Sequence, residues 1–313
     1  MESFWVCFNA VAPIFLLMAM GYAAQRTGAI RREDEVPRFN KLVFCWFMSV
    51  TMFCSLYDAD PTQVIRPKLL LFGVGGSLAV YAASVGWVLL TERSPDKRGV
   101  KIQGMYRSNF LLLGLPLASS LVTGQDMGAV VALVAIIISL DNVLAVITLE
   151  ACRGGKIRPG KLAMNVLKNP MIVGALAGLV FLLTGVRLPS MPDALAHQIS
   201  SLSSPLMLFL LGAFFRFEGL RRYGRDLLGV CLARLVVIPG VMLTVAYWLG
   251  FRGVEFAGLI GLFGAPTAVA SFPMVQQIGG DSELAGDIVV STSALCVVTL
   301  FLWSWLFRSM GAF

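Results

Sequence analysis

Two short stretches carry the residues best suited to chemistry. Arg107-Ser108-Asn109 leads to Gly114-Leu115-Pro116, and Gly264-Ala265-Pro266-Thr267 lies far downstream; both sit deep in long apolar segments. A proline inside a membrane helix removes a backbone donor and clashes with the preceding turn, so both helices are expected to break at Pro116 and Pro266. A break near the bilayer midplane frees N–H groups at the positive end of a helix dipole, where transporters seat an anion. On this reading Leu117 and Thr267 begin half-helices facing the ligand, Gly114 shapes the break, and Thr267 and Ser271 add hydroxyls. The chemistry is binding of a small anion, not bond making.

The polar residues nearby divide between that role and simpler ones. Asn109 places an amide about two turns before Pro116, where it donates to a substrate carboxylate or to another helix. Ser108 contacts substrate or serves as interhelical glue. Asp141-Asn142 falls near the centre of another apolar segment. A carboxylate there is costly when ionised, so Asp141 is a candidate for carrying a coupling proton, with a protonated bystander or an ion pair to Arg234 as alternatives. Asn142 is a candidate to line the substrate site. Arg107 is expected to snorkel to the interface, with inward steering of anions as the alternative; Asp287 is expected to be solvated at a helix mouth, and His197, the only histidine, has no role.

Enzyme chemistry finds little support. The sequence has no HExxH, no His/Cys cluster, no P-loop and no paired-aspartate GxGD. The reading is therefore no enzyme, no catalytic residue, no metal and no cofactor. Six cysteines lie in or at the ends of apolar segments without a CxxC and read as small core residues.

The elements that must position these residues are membrane helices. The chain is 57% hydrophobic and 14% charged, with mean hydropathy +0.79, which describes a polytopic membrane protein. Spans of about 20 apolar residues fall near 5–24, 39–57, 69–91, 100–122, 127–151, 163–184, 199–217, 226–249, 254–277 and 284–307. The first lacks a basic leader and a small-residue cleavage site, so it is read as retained. The net charge of +7 comes from short basic clusters between apolar runs, which calls for no nucleic acid. Loops after spans 1, 3, 5 and 7 hold 18 Lys and Arg, against 5 in the opposite loops and termini. Both termini are thus expected outside the cytoplasm.

An internal repeat is also legible. Pro13, Gly21, Thr27 and Gly28 recur as Pro170, Gly178, Thr184 and Gly185 at an offset of 157; Gly73-Val74 recurs as Gly229-Val230 at 156. The two Gly-x-Pro stretches match at 150. Five spans per copy is an odd number, so the second copy inverts. The expected fold is an all-α membrane protein of ten transmembrane helices in two inverted five-helix repeats, with broken crossover helices 4 and 9. Residues 1–152 form the first repeat, 153–162 a cytoplasmic linker and 163–313 the second repeat.

At these residues the chain resembles the auxin efflux carrier family, which includes bacterial malonate and malate carriers. The resemblance runs through Pro13-Ile14-Phe15 with Gly21-Tyr22, Asn40-Lys41-Leu42-Val43, Arg107-Ser108-Asn109 to Gly114-Leu115-Pro116, and Asn169-Pro170. It continues through Pro205 to Phe209, Ala265 to Val269, Gln276-Gln277 and Gly279-Gly280-Asp281. It implies a fold similar to bile-acid symporters and sodium/proton antiporters. Spans 1, 2, 6 and 7 would form a scaffold that dimerises, through helices 2 and 7, while spans 3–5 and 8–10 move as an elevator. It also implies a bacterial inner-membrane location in contact with lipid, and a substrate-contacting role for Asn109 and Asn142. Three positions depart from the pattern: Ser49 stands where members usually have proline, and Leu112 and Ala270 where many have asparagine, which implies a drier site.

The expected function is secondary transport of small mono- or dicarboxylates, proton-coupled or potential-driven. The alternatives are a sodium-coupled organic anion symporter, a cation/proton antiporter, and a non-transporting membrane receptor.

Overall fold

The computed structural model describes residues 2–58, 66–122, 124–152 and 159–313, and within them all side chains except those of 2–11, 159, 161–162, 217 and 220. Most of the 153–162 linker, with Arg153, Lys156 and Arg158, lies outside the described residues, as does the Cys7 side chain.

Among the described residues the chain is helical throughout, with one isolated β-bridge. The helices are α1 (Glu2–Arg26), α2 (Glu35–Tyr57), α3 (Pro67–Thr91), α4 (Pro95–Tyr106), α5 (Phe110–Leu121), α6 (Gly128–Cys152) and α7 (Pro159–Leu167). They continue as α8 (Pro170–Thr184), α9 (Ser190–Phe214), α10 (Phe217–Arg222), α11 (Gly224–Trp248), α12 (Gly253–Gly264), α13 (Ser271–Ile278) and α14 (Ser282–Ser309). Six of them, α2, α3, α6, α9, α11 and α14, are long and apolar enough to cross a membrane. Large apolar side chains face outward on many of them, among them Trp46, Leu71, Leu90, Leu183 and Trp248. That belt suits a hydrocarbon solvent rather than water.

Local chemistry sets the helix starts. Pro170 occupies the first turn of α8, where its missing N–H is no loss, and the Asn169 carbonyl oxygen Oδ1 accepts from Met171 N at 3.0 Å. Asp281 caps α14 in the same way, accepting from Leu284 N at 3.0 Å.

The helices gather into two packed groups. In one, α1 lies along α9, and α2 along α8 and α9; in the other, α3 packs on α4 and α6, and α12 on α5, α11 and α14. Without a hydrophobic drive between helices in lipid, close approach depends on small residues. Gly114 on α5 faces Gly261 on α12, and a methyl group built on Gly261 would sit 2.5 Å from the Gly114 carbonyl oxygen. We expect Gly261→Ala to lower the thermal transition by overpacking of about 1–3 kcal/mol or more. Gly75→Ala, whose methyl group meets nothing within 4 Å, should raise it slightly, because alanine restricts the unfolded chain. Melting curves of the two variants in one detergent check the pair.

Three helices contain a wide π-type turn, at Val43–Phe47, Phe110–Gly114 and Ala233–Val237. Each ends two residues before Ser49, Pro116 and Pro239 respectively. Such a turn lets a helix carry a residue without an N–H and still continue. Pro116 is therefore inside α5, and the break expected there lies elsewhere. At Ser49 the turn is kept without the proline, and the serine hydroxyl donates back to the Phe44 carbonyl at 3.4 Å.

Candidate functional site

The break in the first half of the chain is at Arg107–Asn109, which lie outside helix between α4 and α5, with Arg107 extended. The second is at Ala265–Ala270, between α12 and α13. The two extended pieces run antiparallel through the bridge Ser108–Thr267. Asn109 N donates to Pro266 O at 2.9 Å, and Ala268 N to Arg107 O at 3.2 Å. Each interrupted helix thus supplies the backbone partners that the other lacks.

Side chains lock the crossing. The Thr267 hydroxyl donates to Gly104 O at 2.7 Å and that of Ser108 to Leu262 O at 2.6 Å. Arg234, on α11, is 1% exposed and meets the C-terminal ends of both α4 and α12. Its guanidinium donates to Ala265 O at 2.8 Å, Leu262 O at 3.1 Å, Tyr106 O at 3.2 Å and Met105 O at 3.4 Å. Two helix C-termini bring partial negative charge to one point, and a fixed cation offsets it. Arg234 makes no ion pair with Asp141 within contact distance, so that alternative falls.

Beside the crossing is a cavity of about 100 Å³. The crossing side of its wall is Arg107, Ser108 and Asn109, with Asp141 and Asn142 from α6. Leu111 and Leu112 in the first turn of α5, and Val269 and Ala270 just before α13, also line the cavity, so the N-terminal end of α5 adjoins the space, though not through the residues expected. Opposite stand Met48, Thr51 and Met52 of α2, Met171 of α8, and Ser203, Ser204 and Met207 of α9. The cavity therefore lies between the two packed groups of helices.

Asn109 is 5% exposed, and its amide Nδ2 has no acceptor. Asp141 accepts from Ser108 N at 3.3 Å through Oδ2, while Oδ1 has no partner; the Asp141 backbone carbonyl accepts from the Tyr106 hydroxyl at 3.0 Å. Buried polar groups are nearly always paired, so an orphaned donor and an orphaned acceptor on one small cavity mark a place for something else. The Asn142 amide donates to Ile138 O at 2.8 Å and accepts from Arg107.

Of the expected site residues, Ser108, Asn109, Asp141 and Asn142 converge on this cavity. Thr267, Pro266 and Ser271 are buried within the crossing rather than on the cavity wall. Gly114, Pro116 and Leu117 lie further along α5: Gly114 packs on Gly261, Pro116 is exposed and Leu117 is core. Those three are corrected from site to helix packing. Leu112 and Ala270, two of the positions that depart from the family pattern, both line the cavity with apolar side chains.

Three charged residues were misplaced by sequence reasoning. Arg107 is 2% exposed, so it does not snorkel. Arg234 is a structural cation. Asp287 is buried against Gly219 with Oδ2 unpartnered, not solvated. The signal available was the rarity of charge inside membrane segments, which by itself marks such residues as functional.

Comparison with known proteins gives a consistent outcome. A family model described as membrane transport protein matches residues 6–153 and 159–304. A protein named "Uncharacterized transporter" from Methanothermobacter thermautotrophicus is 23% identical over 311 residues, spanning 95% of this chain and 97% of that one. A protein named "Putative malonate transporter" from Rhizobium meliloti is 24% identical over 312 residues, spanning 96% and 95%.

Proposed function

The chain belongs to the membrane transport protein family, that of the auxin efflux carriers, and from that premise we propose that it is a secondary transporter of small organic anions. The observation that carries the substrate class is the buried Asn109 amide, a donor without an acceptor on a residue of the cavity wall, next to the N-terminal end of α5. A carboxylate supplies the missing acceptor. The name of the Rhizobium relative agrees with such a cargo.

Alternating access is the motion that an inverted repeat would allow, and matching helix lengths support such a repeat. Helices α3 and α11 are both 25 residues long and begin 157 positions apart; α4 and α12 are both 12 long and begin 158 apart. Ten spans in two inverted copies accommodate these correspondences, with α1, α2, α8 and α9 as scaffold and the crossed helices as the moving body. The moving body carries the cavity from one face of the inner membrane to the other in an elevator motion. A second copy of the chain joins through α2 and α9, and both termini face away from the cytoplasm.

Asp141 carries the coupling proton. It is buried, lines the cavity, and has one oxygen free to hold a proton. Sodium coupling at the crossing is disfavoured: a sodium site needs several oxygen ligands, as hard cations do, and the helix-end carbonyls there already accept from Arg234. Replacing sodium by choline is expected to change uptake by less than about twofold; loss of uptake would restore the sodium symporter.

The amide has its own test. A hydrogen bond to a charged group contributes about 1.5–3 kcal/mol, so Asn109→Ala should weaken carboxylate binding by about 10- to 100-fold. Because the amide has no partner in the unliganded protein, the same change should leave the melting temperature level or higher. A lowered melting temperature with unchanged affinity would make Asn109 structural.

A further inference from the structure

We propose that Arg107 is the anion receptor of the cavity, and that it selects a short acid with one carboxylate and an apolar body. The inference rests on the transporter reading and narrows its substrate. Arg107 is 2% exposed yet lines the cavity. Its guanidinium contacts the Asn142 carbonyl oxygen Oδ1, Met274 Sδ at 2.9 Å and Ser271 Oγ at 3.4 Å, all neutral groups. Among the described residues no carboxylate lies within ion-pair distance of it. Asp141, the nearby acid, directs one oxygen to Ser108 N and leaves the other unpaired.

A buried cation without an anion is costly, and a guanidinium is shaped to hold a carboxylate through two parallel bonds. Arg107 and the unpartnered Asn109 amide together offer donors for one carboxylate. Arg234, the other buried cation at the crossing, spends its donors on four carbonyls and offers nothing to a second.

The opposite wall decides the rest of the molecule. Met48, Met52, Met171 and Met207 present four thioethers from three helices of the other group, and Leu112 and Ala270 extend the apolar surface. Methionine is flexible and polarisable, and it adapts to apolar shapes. A second carboxylate placed there would meet only the neutral hydroxyls of Thr51, Ser203 and Ser204 and no cation, so it would lose its water without a charged donor in return. The cavity is small, about 100 Å³, which suits a short chain. A single negative charge also matches the site's own balance, one guanidinium bonded only to neutral groups, with Asp141 left to carry a proton.

The experiment is equilibrium binding of labelled butyrate to the full chain in nanodiscs, with unlabelled propionate, isovalerate, malonate, succinate and uncharged butyramide as competitors. Monocarboxylates are expected to compete at least about tenfold better than malonate or succinate, and butyramide not at all. Arg107→Gln should lose about 100-fold or more in affinity, and Arg107→Lys less, since lysine keeps the charge but not the fork. Met52→Ala should shift preference toward longer acids, a readout that survives if Arg107→Gln does not fold. Dicarboxylates competing as well as or better than butyrate would overturn the inference and leave the transporter intact. Wild-type butyrate affinity in a folded Arg107→Gln protein would overturn it too. No binding or flux of any acid would remove the transporter reading, and this inference with it.

Discussion

Asp141→Asn is expected to abolish accumulation of substrate while leaving exchange of substrate across the membrane. A proton gradient of one pH unit is worth about 1.4 kcal/mol, so one coupled proton concentrates an acid about tenfold in wild-type proteoliposomes. Asparagine keeps the acceptor to Ser108 N, now 3.3 Å from Asp141 Oδ2, and fills the same space. It cannot release a proton. The variant should therefore bring inside and outside to equal concentration and stop, whereas counterflow of labelled against unlabelled acid continues. Continued accumulation driven by the pH gradient would remove Asp141 from coupling. Asp287, the other buried acid with an unpartnered oxygen, would then be the group to change next.

The second large effect is on stability. Arg234→Met keeps much of the side-chain volume but strips the donors from four carbonyls at the ends of α4 and α12. Orphaning a buried acceptor costs about 1–3 kcal/mol, and some of these carbonyls keep another partner: Leu262 O also accepts from Ser108. A net loss of about 3–5 kcal/mol is expected, enough to empty the folded population of a marginal protein. Arg234→Lys should recover part of it, because one ammonium restores charge opposite two helix C-termini without reaching all four oxygens. Yield of monodisperse protein and melting temperature read the series. Unchanged melting in Arg234→Met would show that the crossing does not depend on this cation.

Much of the fold was legible because apolar length and helix punctuation are local signals. The expected segments 69–91 and 226–249 coincide closely with Pro67–Thr91 and Gly224–Trp248. Interruption of the fourth and ninth segments was legible as well, but its position in the fourth was not. Pro116 is a strong local signal that the wide turn at Phe110–Gly114 neutralises. The real break has neither glycine nor proline, and Arg107–Asn109 stay out of helix because Pro266–Ala268 pair with them from a remote part of the chain. The Gly-x-Pro match at 150 consequently aligned residues with different tasks: Pro116 continues a helix, and Pro266 lies in the crossing. The bridged pair Ser108 and Thr267 stands 159 apart, near the 157 given by the other matches.

The site was legible in part for the same reason. Asn109, Asp141 and Asn142 are polar residues in apolar surroundings, which sequence displays directly. The partners of Arg107 and Arg234 come from helices up to 167 residues away, so sequence alone offered anion steering or snorkelling for Arg107 and an ion pair for Arg234. The methionine wall was invisible, since Met48, Met52, Met171 and Met207 form no pattern until three helices bring them together.

The most direct test of the central claim is initial uptake of labelled monocarboxylates and dicarboxylates into proteoliposomes, wild type beside Asn109→Ala. The account predicts saturable uptake of at least one acid, with KM raised about tenfold or more by Asn109→Ala and protein folding unchanged. Saturable uptake indifferent to Asn109→Ala, or no saturable uptake of any acid, would contradict it.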